Sequence, residues 1–153
     1  MARAELTERE WAIRTWIYAH FVEHAVPPTS GQIAAEFGMT DEEARQALRR
    51  LHEAHTLLLT PGTDEVRMAN PFSAVPTPFP VVANGRSYFA NCAWDALGIP
   101  AMLGGDAVIH ARLEVVDESI QIPVVDGIPR PASDYLIHFA VPFRHWYDDQ
   151  IFT

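Results

Sequence analysis

The chain has 153 residues, 48% of them hydrophobic and 20% charged, which suits one ordinary globular domain or two small ones and excludes a disordered chain. Its net charge is −9, and all eleven basic residues are arginine, so nucleic acid and anionic membrane are disfavoured partners. No run nears the roughly 18 apolar residues of a membrane span, the start MARAELTEREW lacks an export signal's apolar core, and the single cysteine excludes an internal disulfide; a cytoplasmic location is expected.

Residues 1–70 read as a compact helical unit. Thr7 and Glu10 form a capping-box pattern, and Trp11, Ile13, Ile17, Phe21 and Val22 recur at helical spacing to about His24. Pro27 and Pro28 end that helix. Thr29 or Ser30 caps a second, stopping at Gly38. Thr40 caps a third, with acids in its first turn and Arg49, Arg50 and His52 towards its end, as the helix dipole favours; Ala44, Leu48 and Leu51 face inward. Leu57–Thr60 and Glu65–Met68 flank Pro61-Gly62-Thr63-Asp64 as a predicted hairpin.

Three helices and a hairpin make a winged-helix-like arrangement. DNA binding is nevertheless disfavoured, because Asp41, Glu42 and Glu43 occupy the turn that would meet base edges. A structural, substrate-covering or dimerising role fits better.

Four prolines between Asn70 and Pro80 predict an ordered, extended crossing to a second domain, 71–153, on which Phe72, Val75 and Phe79 pack. Asn84-Gly85 is a turn signal between Val81-Val82 and Ser87–Phe89. A helix over CAWDALG is expected to stop at Gly98 and Pro100, with Trp94, Phe89 and Leu97 in the core. Strands are predicted at 107–116, 119–124 and 135–141. The ending Ile151-Phe152-Thr153 has the composition of an element's beginning, so the chain is expected to be a piece of something longer, prone to self-association.

The chemistry gathers on Tyr88–Pro100, which carries the single cysteine, Cys92, and Asp95 three residues on. That spacing lets the two side chains share a helix face. The helix dipole lowers the pKa of a thiol at a helix start, whereas a neighbouring carboxylate raises it. The pair therefore suits a shared proton rather than a protease triad, whose thiol needs an imidazole base. His110, His138 and His145 have no spacing that ties them to Cys92. Spacing alone leaves the bland reading open, a buried thiol beside a dipole-complementing acid.

RMANPFSAVPTPFPV, GRSYFANCAWDALGIPAML and DAVIHARLEV resemble the alkylmercury lyase (organomercurial lyase) family over most of residues 66–153. The resemblance implies a winged-helix-like domain ahead of an α+β catalytic core, with a small mixed or antiparallel sheet and a cysteine-bearing helix. It implies protonolysis of a carbon–mercury bond, giving hydrocarbon and Hg(II). Cys92 matches the family's mercury-binding cysteine and Asp95 its proton-handling aspartate. No resident cofactor is implied; external thiols would release the product. The family also uses a second cysteine, which this sequence does not contain; VPFRHWYDDQIFT resembles the stretch leading into it. With one thiolate the bond should be activated less. The competing expectation is a non-catalytic winged-helix regulator, or a protein that binds a soft metal or small ligand.

Overall fold

A computed structural model describes residues 5–113, 116–139, 141–142 and 145–146. Three helices lead: α1 (Glu8–His24), α2 (Ser30–Phe37) and α3 (Asp41–Glu53). Each begins at a threonine whose side chain accepts from the third backbone N–H, while Glu10, Gln32 or Glu43 reaches back to the cap. Three complete capping boxes, each worth about 1 kcal/mol, explain why the starts were legible. α1 and α2 end on left-handed residues, Ala25 and Gly38.

Strands β1 (Leu58–Leu59), β2 (Val66–Ala69), β3 (Phe72–Ser73), β4 (Pro80–Ala83) and β5 (Arg86–Ala90) follow, then α4 (Ala93–Leu103). β6 (Ala107–Leu113), β7 (Glu118–Val125) and β8 (Ile128–Pro129) complete the sheet. The eight strands lie in the order β1-β2-β3-β5-β4-β6-β7-β8, every neighbouring pair antiparallel. Short turns make this possible: Asn84-Gly85 and Asp126-Gly127 all take positive φ, as a two-residue hairpin requires. The helix-plus-antiparallel-sheet class expected from the sequence is therefore present. The Pro-rich stretch is more than a crossing, since Phe72-Ser73 pairs with both β2 and β5 and carries the sheet past residue 70.

One cluster of buried side chains joins the helices to the sheet. At its centre Phe72 stacks on Phe21, ring centroids 5.3 Å apart, and lies 5.4 Å from Tyr88. All three are essentially buried, each contributing roughly 1.5–3 kcal/mol of apolar transfer. The Tyr88 hydroxyl donates to the Val22 carbonyl at 2.7 Å, fixing the last turns of α1 on β5. On its core face α1 presents Glu10, Ile13, Ile17 and Phe21. Burial pushes the Glu10 carboxyl up, but Arg50 and the Thr7 amide and hydroxyl outweigh it and hold it below its usual value.

Three expectations need correction. Gly98 and Pro100 do not stop α4; both lie inside it, and Gly104 at φ 64° ends it. Pro100 forfeits one ladder hydrogen bond, but the helix buries Ala96, Ile99 and Pro100 against the sheet, which offsets the loss. A Cβ at Gly98 would lie 3.1 Å from the Cβ of Pro71, so glycine there permits the close approach of the helix to the Asn70-Pro71 turn. Trp94 is not core: with Ala96, Ile99 and Pro100 turned inward, its indole points outward and is 56% exposed. The strand expected at 135–141 is absent over 135–139, where Leu136 is 94% exposed and β8 already pairs with the free side of β7. Residues 114–115 and 140, which belong to two of the expected strands, lie outside the described residues, as do 147–153. No helix among the described residues is long and apolar enough to cross a membrane.

Candidate active site

Cys92 is the N-cap of α4, in extended backbone (φ −151°, ψ 179°), and its carbonyl accepts the first helical hydrogen bond from Ala96, at 3.0 Å. Asp95 stands in the first turn. The preceding strand β5 brings the chain out of the sheet at Ala90, so the helix start projects away from the core. Both side chains are half-buried and line one cavity of about 410 Å³.

The opposite wall is α1. Its second face, one residue round from the core face, carries Trp11, Arg14 and Tyr18 into the cavity. Thr56 and Leu57 from the α3–β1 connection, Leu58 and Met68 from the first hairpin, and Asn70 form the floor and side. Trp94, Phe139 and Trp146 form an aromatic rim: Phe139 lies 6.0 Å from Trp94 and stacks on Trp146 at 5.4 Å. The lining sets apolar and aromatic side chains beside His55, Thr56 and a group of hydrogen-bonded polar side chains, as small-molecule sites do.

Those polar groups form a connected chain. Asn91 Nδ2 donates to Asp95 Oδ2 at 3.0 Å and to Asn70 Oδ1 at 3.2 Å. The Asn70 carbonyl accepts from the Tyr18 hydroxyl at 3.0 Å, and that hydroxyl accepts from Arg14 Nη2 at 3.2 Å. Asn91 Oδ1 is buried and has no hydrogen-bond partner among the described residues. The Asp95 carboxyl is thus oriented by one amide, itself braced from the far side of the cavity.

Burial pushes the Cys92 thiol up from its ordinary value; the Asp95 amide opposes this, the Asp95 charge adds to it, and the Trp94 amide opposes it. Of the two opposing influences weighed from the sequence, the neighbouring carboxylate adds to burial and the amides of the helix start offset them only in part. Burial also pushes Asp95 up, opposed by the Asn91 amide and by its contact with the Cys92 thiol. Tyr18 is raised by burial, with Arg14 lowering it and Asp95 raising it further. Two acids, both reluctant to ionise and touching each other, can pass one proton between them at little cost in charge separation.

The sequence placed Cys92 and Asp95 on this helix start and the structure brings them together. It missed Arg14, Tyr18, Asn70 and Asn91. Asn91 carried a signal, since it precedes Asp95 by four residues; the others are remote in sequence. Among the described residues no three His, Cys, Asp or Glu side chains gather as a metal site. His110 lies on β6 and His138 in the exposed 130–139 segment; neither lines the cavity.

The family model for alkylmercury lyase, MerB, matches residues 72–153. Eight solved chains match the fold. One, described as the crystal structure of the mercury-bound form of MerB2, superposes with a TM-score of 0.67 at 21% identity, covering 82% of this chain. The present chain spans 60% of that one's length. No curated protein matches by sequence.

Proposed function

The chain belongs to the alkylmercury lyase family, and on that footing we propose that it cleaves carbon–mercury bonds by protonolysis, with Cys92 as mercury ligand and Asp95 as proton carrier. The observation that carries this reading is the shared opening of Cys92 and Asp95 into a single aromatic-rimmed cavity. Mercury enters as substrate, and a soft metal selects the thiol.

The steps balance around one proton. Cys92 attacks the mercury of R–Hg–X; the S–Hg bond forms, X⁻ leaves, and the thiol proton passes to the Asp95 carboxylate. Asp95, whose burial favours its protonated form, then returns that proton to the carbon. The Hg–C bond breaks, R–H departs, and mercury remains on the Cys92 sulfur beside the ionised Asp95. Two external thiols R′SH remove it as Hg(SR′)₂, restoring the Cys92 thiol and releasing one proton. Asn91 orients the carboxyl in both transfers.

Residues 1–70 serve in this reading as a winged-helix-like unit that walls the cavity of a catalytic part, 71–153. DNA binding is not its role: Arg45 pairs with Asp41, Arg49 with Asp64 and Glu42, and Arg50 with Glu10, so the cations of α3 are already engaged. The chain works in the cytoplasm, where thiols are abundant.

Incubation with phenylmercury and excess small thiol, with benzene read by gas chromatography, tests the activity. Benzene is expected from the wild type and none from Cys92→Ala; turnover by the alanine variant would move the site elsewhere. The chain carries a single thiol, which favours one second reading, capture of a soft metal without turnover. One equivalent of Hg(II) bound at Cys92 with no benzene would select it.

A further inference from the structure

Arg14 differs from most of the anchored arginines, and unlike Arg9, whose Nη2 donates to the Phe37 carbonyl at 2.7 Å, it lines the cavity. Arg45, Arg49, Arg50 and Arg112 each meet a carboxylate. Arg14 meets only neutral oxygens among the described residues: Nε donates to the Thr56 carbonyl at 3.4 Å and Nη2 to the Tyr18 hydroxyl at 3.2 Å. Its guanidinium lies 4.5 Å over the Tyr18 ring and 5.7 Å from the Trp11 ring centroid. These contacts fix its position without neutralising it. A guanidinium has five N–H donors, and these two bonds leave three of them for a ligand. It lines the same cavity as Cys92 and Asp95 and is half-buried there.

A fixed cation that pairs with no acid among the described residues, in a chain of net charge −9, is a feature of the cavity that an apolar organomercurial would not use. The geometry points to Arg14 as an anion subsite that receives a carboxylate on the molecule presented to Cys92. The inference rests on Cys92 being the reacting atom proposed above. The planar fork of the guanidinium suits a carboxylate in two-point contact. The carboxylate has two possible sources, the organic group bonded to mercury or the thiol that carries the mercurial. Either is held at one end by Arg14 while the mercury faces the sulfur. Arg14 reaches Asp95 only through the hydrogen-bonded chain of Tyr18, Asn70 and Asn91 and makes no direct bond to that carboxylate.

Alkylation tests the subsite without any mercury chemistry. Cys92 is the single thiol, so its rates with iodoacetate and iodoacetamide compare an anion with its neutral analogue at one atom. Arg14→Met should lower the iodoacetate-to-iodoacetamide rate ratio about fivefold, a modest value for a half-exposed charge pair. Arg14→Lys, which keeps the charge but not the fork, should retain only part of the ratio. In the wild type, salt should slow iodoacetate selectively, a measurement that needs no variant to fold. An unchanged ratio in Arg14→Met, or no salt effect on it, would overturn the subsite. Cys92 unreactive to both reagents would overturn the site reading itself.

The source is separated by the rate at which arylmercurials bind Cys92, followed by tryptophan fluorescence. Phenylmercury and 4-carboxyphenylmercury are each presented on 2-mercaptoethanol and on mercaptoacetate. A loss in Arg14→Met confined to 4-carboxyphenylmercury assigns the carboxylate to the organic group; a loss confined to mercaptoacetate assigns it to the carrier. Equal rates in all four arms would refute the proposal.

Discussion

Asp95→Asn should make the protein more stable while removing the proton carrier proposed above. Burial disfavours the Asp95 charge, and the Asn91 amide and Cys92 thiol oppose that only in part, so the carboxyl titrates above its ordinary value. Above pH about 4, where an unfolded aspartate ionises, the folded chain therefore binds more protons than the unfolded one. Wild-type stability then falls as pH rises through this window and stays lower above the folded pKa. Asparagine has no charge to desolvate and keeps an oxygen for Asn91 Nδ2 to donate to. Against this stands the loss of an acid from the first turn of α4, worth roughly 0.3–1 kcal/mol through the helix dipole. With that opposition set against the desolvation relieved, the net gain at pH 7.5 should be about 1 kcal/mol. For a chain of this size it appears as a rise in Tm of roughly 2–4 °C. Urea unfolding of both proteins at pH 4, 6 and 7.5 measures it: the gap should be small at pH 4 and widen upward. A variant less stable than wild type at pH 7.5, or a gap that ignores pH, would refute the reasoning.

Glu10→Gln should behave in the opposite sense. The Glu10 carboxyl is held below its usual value, so its contribution is present above the unfolded pKa and lost as pH falls through the folded one. Since Arg50 is partly exposed, the variant should lose about 1 kcal/mol at neutral pH, with the gap closing on acidification in the same urea series. Tyr88→Phe leaves the Val22 carbonyl without its donor and should cost about 1 kcal/mol, seen as a lower urea midpoint with unchanged slope. Gly98→Ala, which in an open helix would gain up to about 1 kcal/mol, should instead be destabilising because its Cβ meets Pro71 at 3.1 Å; a higher Tm would show that the Pro71 segment yields.

Much of the fold was legible where its causes are local. The three leading helices are each set by a threonine cap and a partner three residues on, a pattern contained in four residues. The Asn84-Gly85 hairpin is equally local. The failures share a different origin. Pro100 reads as a stop because the chain alone shows a missing donor and not the buried face that tolerates it. Residues 135–139 alternate like a strand, but a strand needs a partner edge, and β8 holds the edge beside β7. Trp94 looks apolar enough for the core, yet Ala96, Ile99 and Pro100 settle which face turns inward. In the site, Cys92 and Asp95 were visible through spacing and family resemblance together. Arg14, Tyr18 and Asn70 reach the cavity only because α1 is docked on β5 and β3, a consequence of the Phe21–Phe72–Tyr88 contacts.

That docking explains why stability and chemistry should separate in this molecule. α1 uses Ile13, Ile17 and Phe21 for the core and the neighbouring face, Trp11, Arg14 and Tyr18, for the cavity. α4 divides in the same way, with Ala96, Ile99 and Pro100 inward and Cys92 and Asp95 towards the cavity. The cavity is the seam between faces that contribute little to the core, Tyr18 excepted, whose ring meets Phe72 edge-on at 6.5 Å. Groups there are free to be unfavourable to the fold: a carboxyl reluctant to ionise and, among the described residues, a buried amide oxygen without a partner and a cation without an acid. Substitutions in the seam should therefore alter reactivity at constant or improved stability. Truncation of Phe72 or Tyr88 should remove both together, because those rings hold the two walls in register.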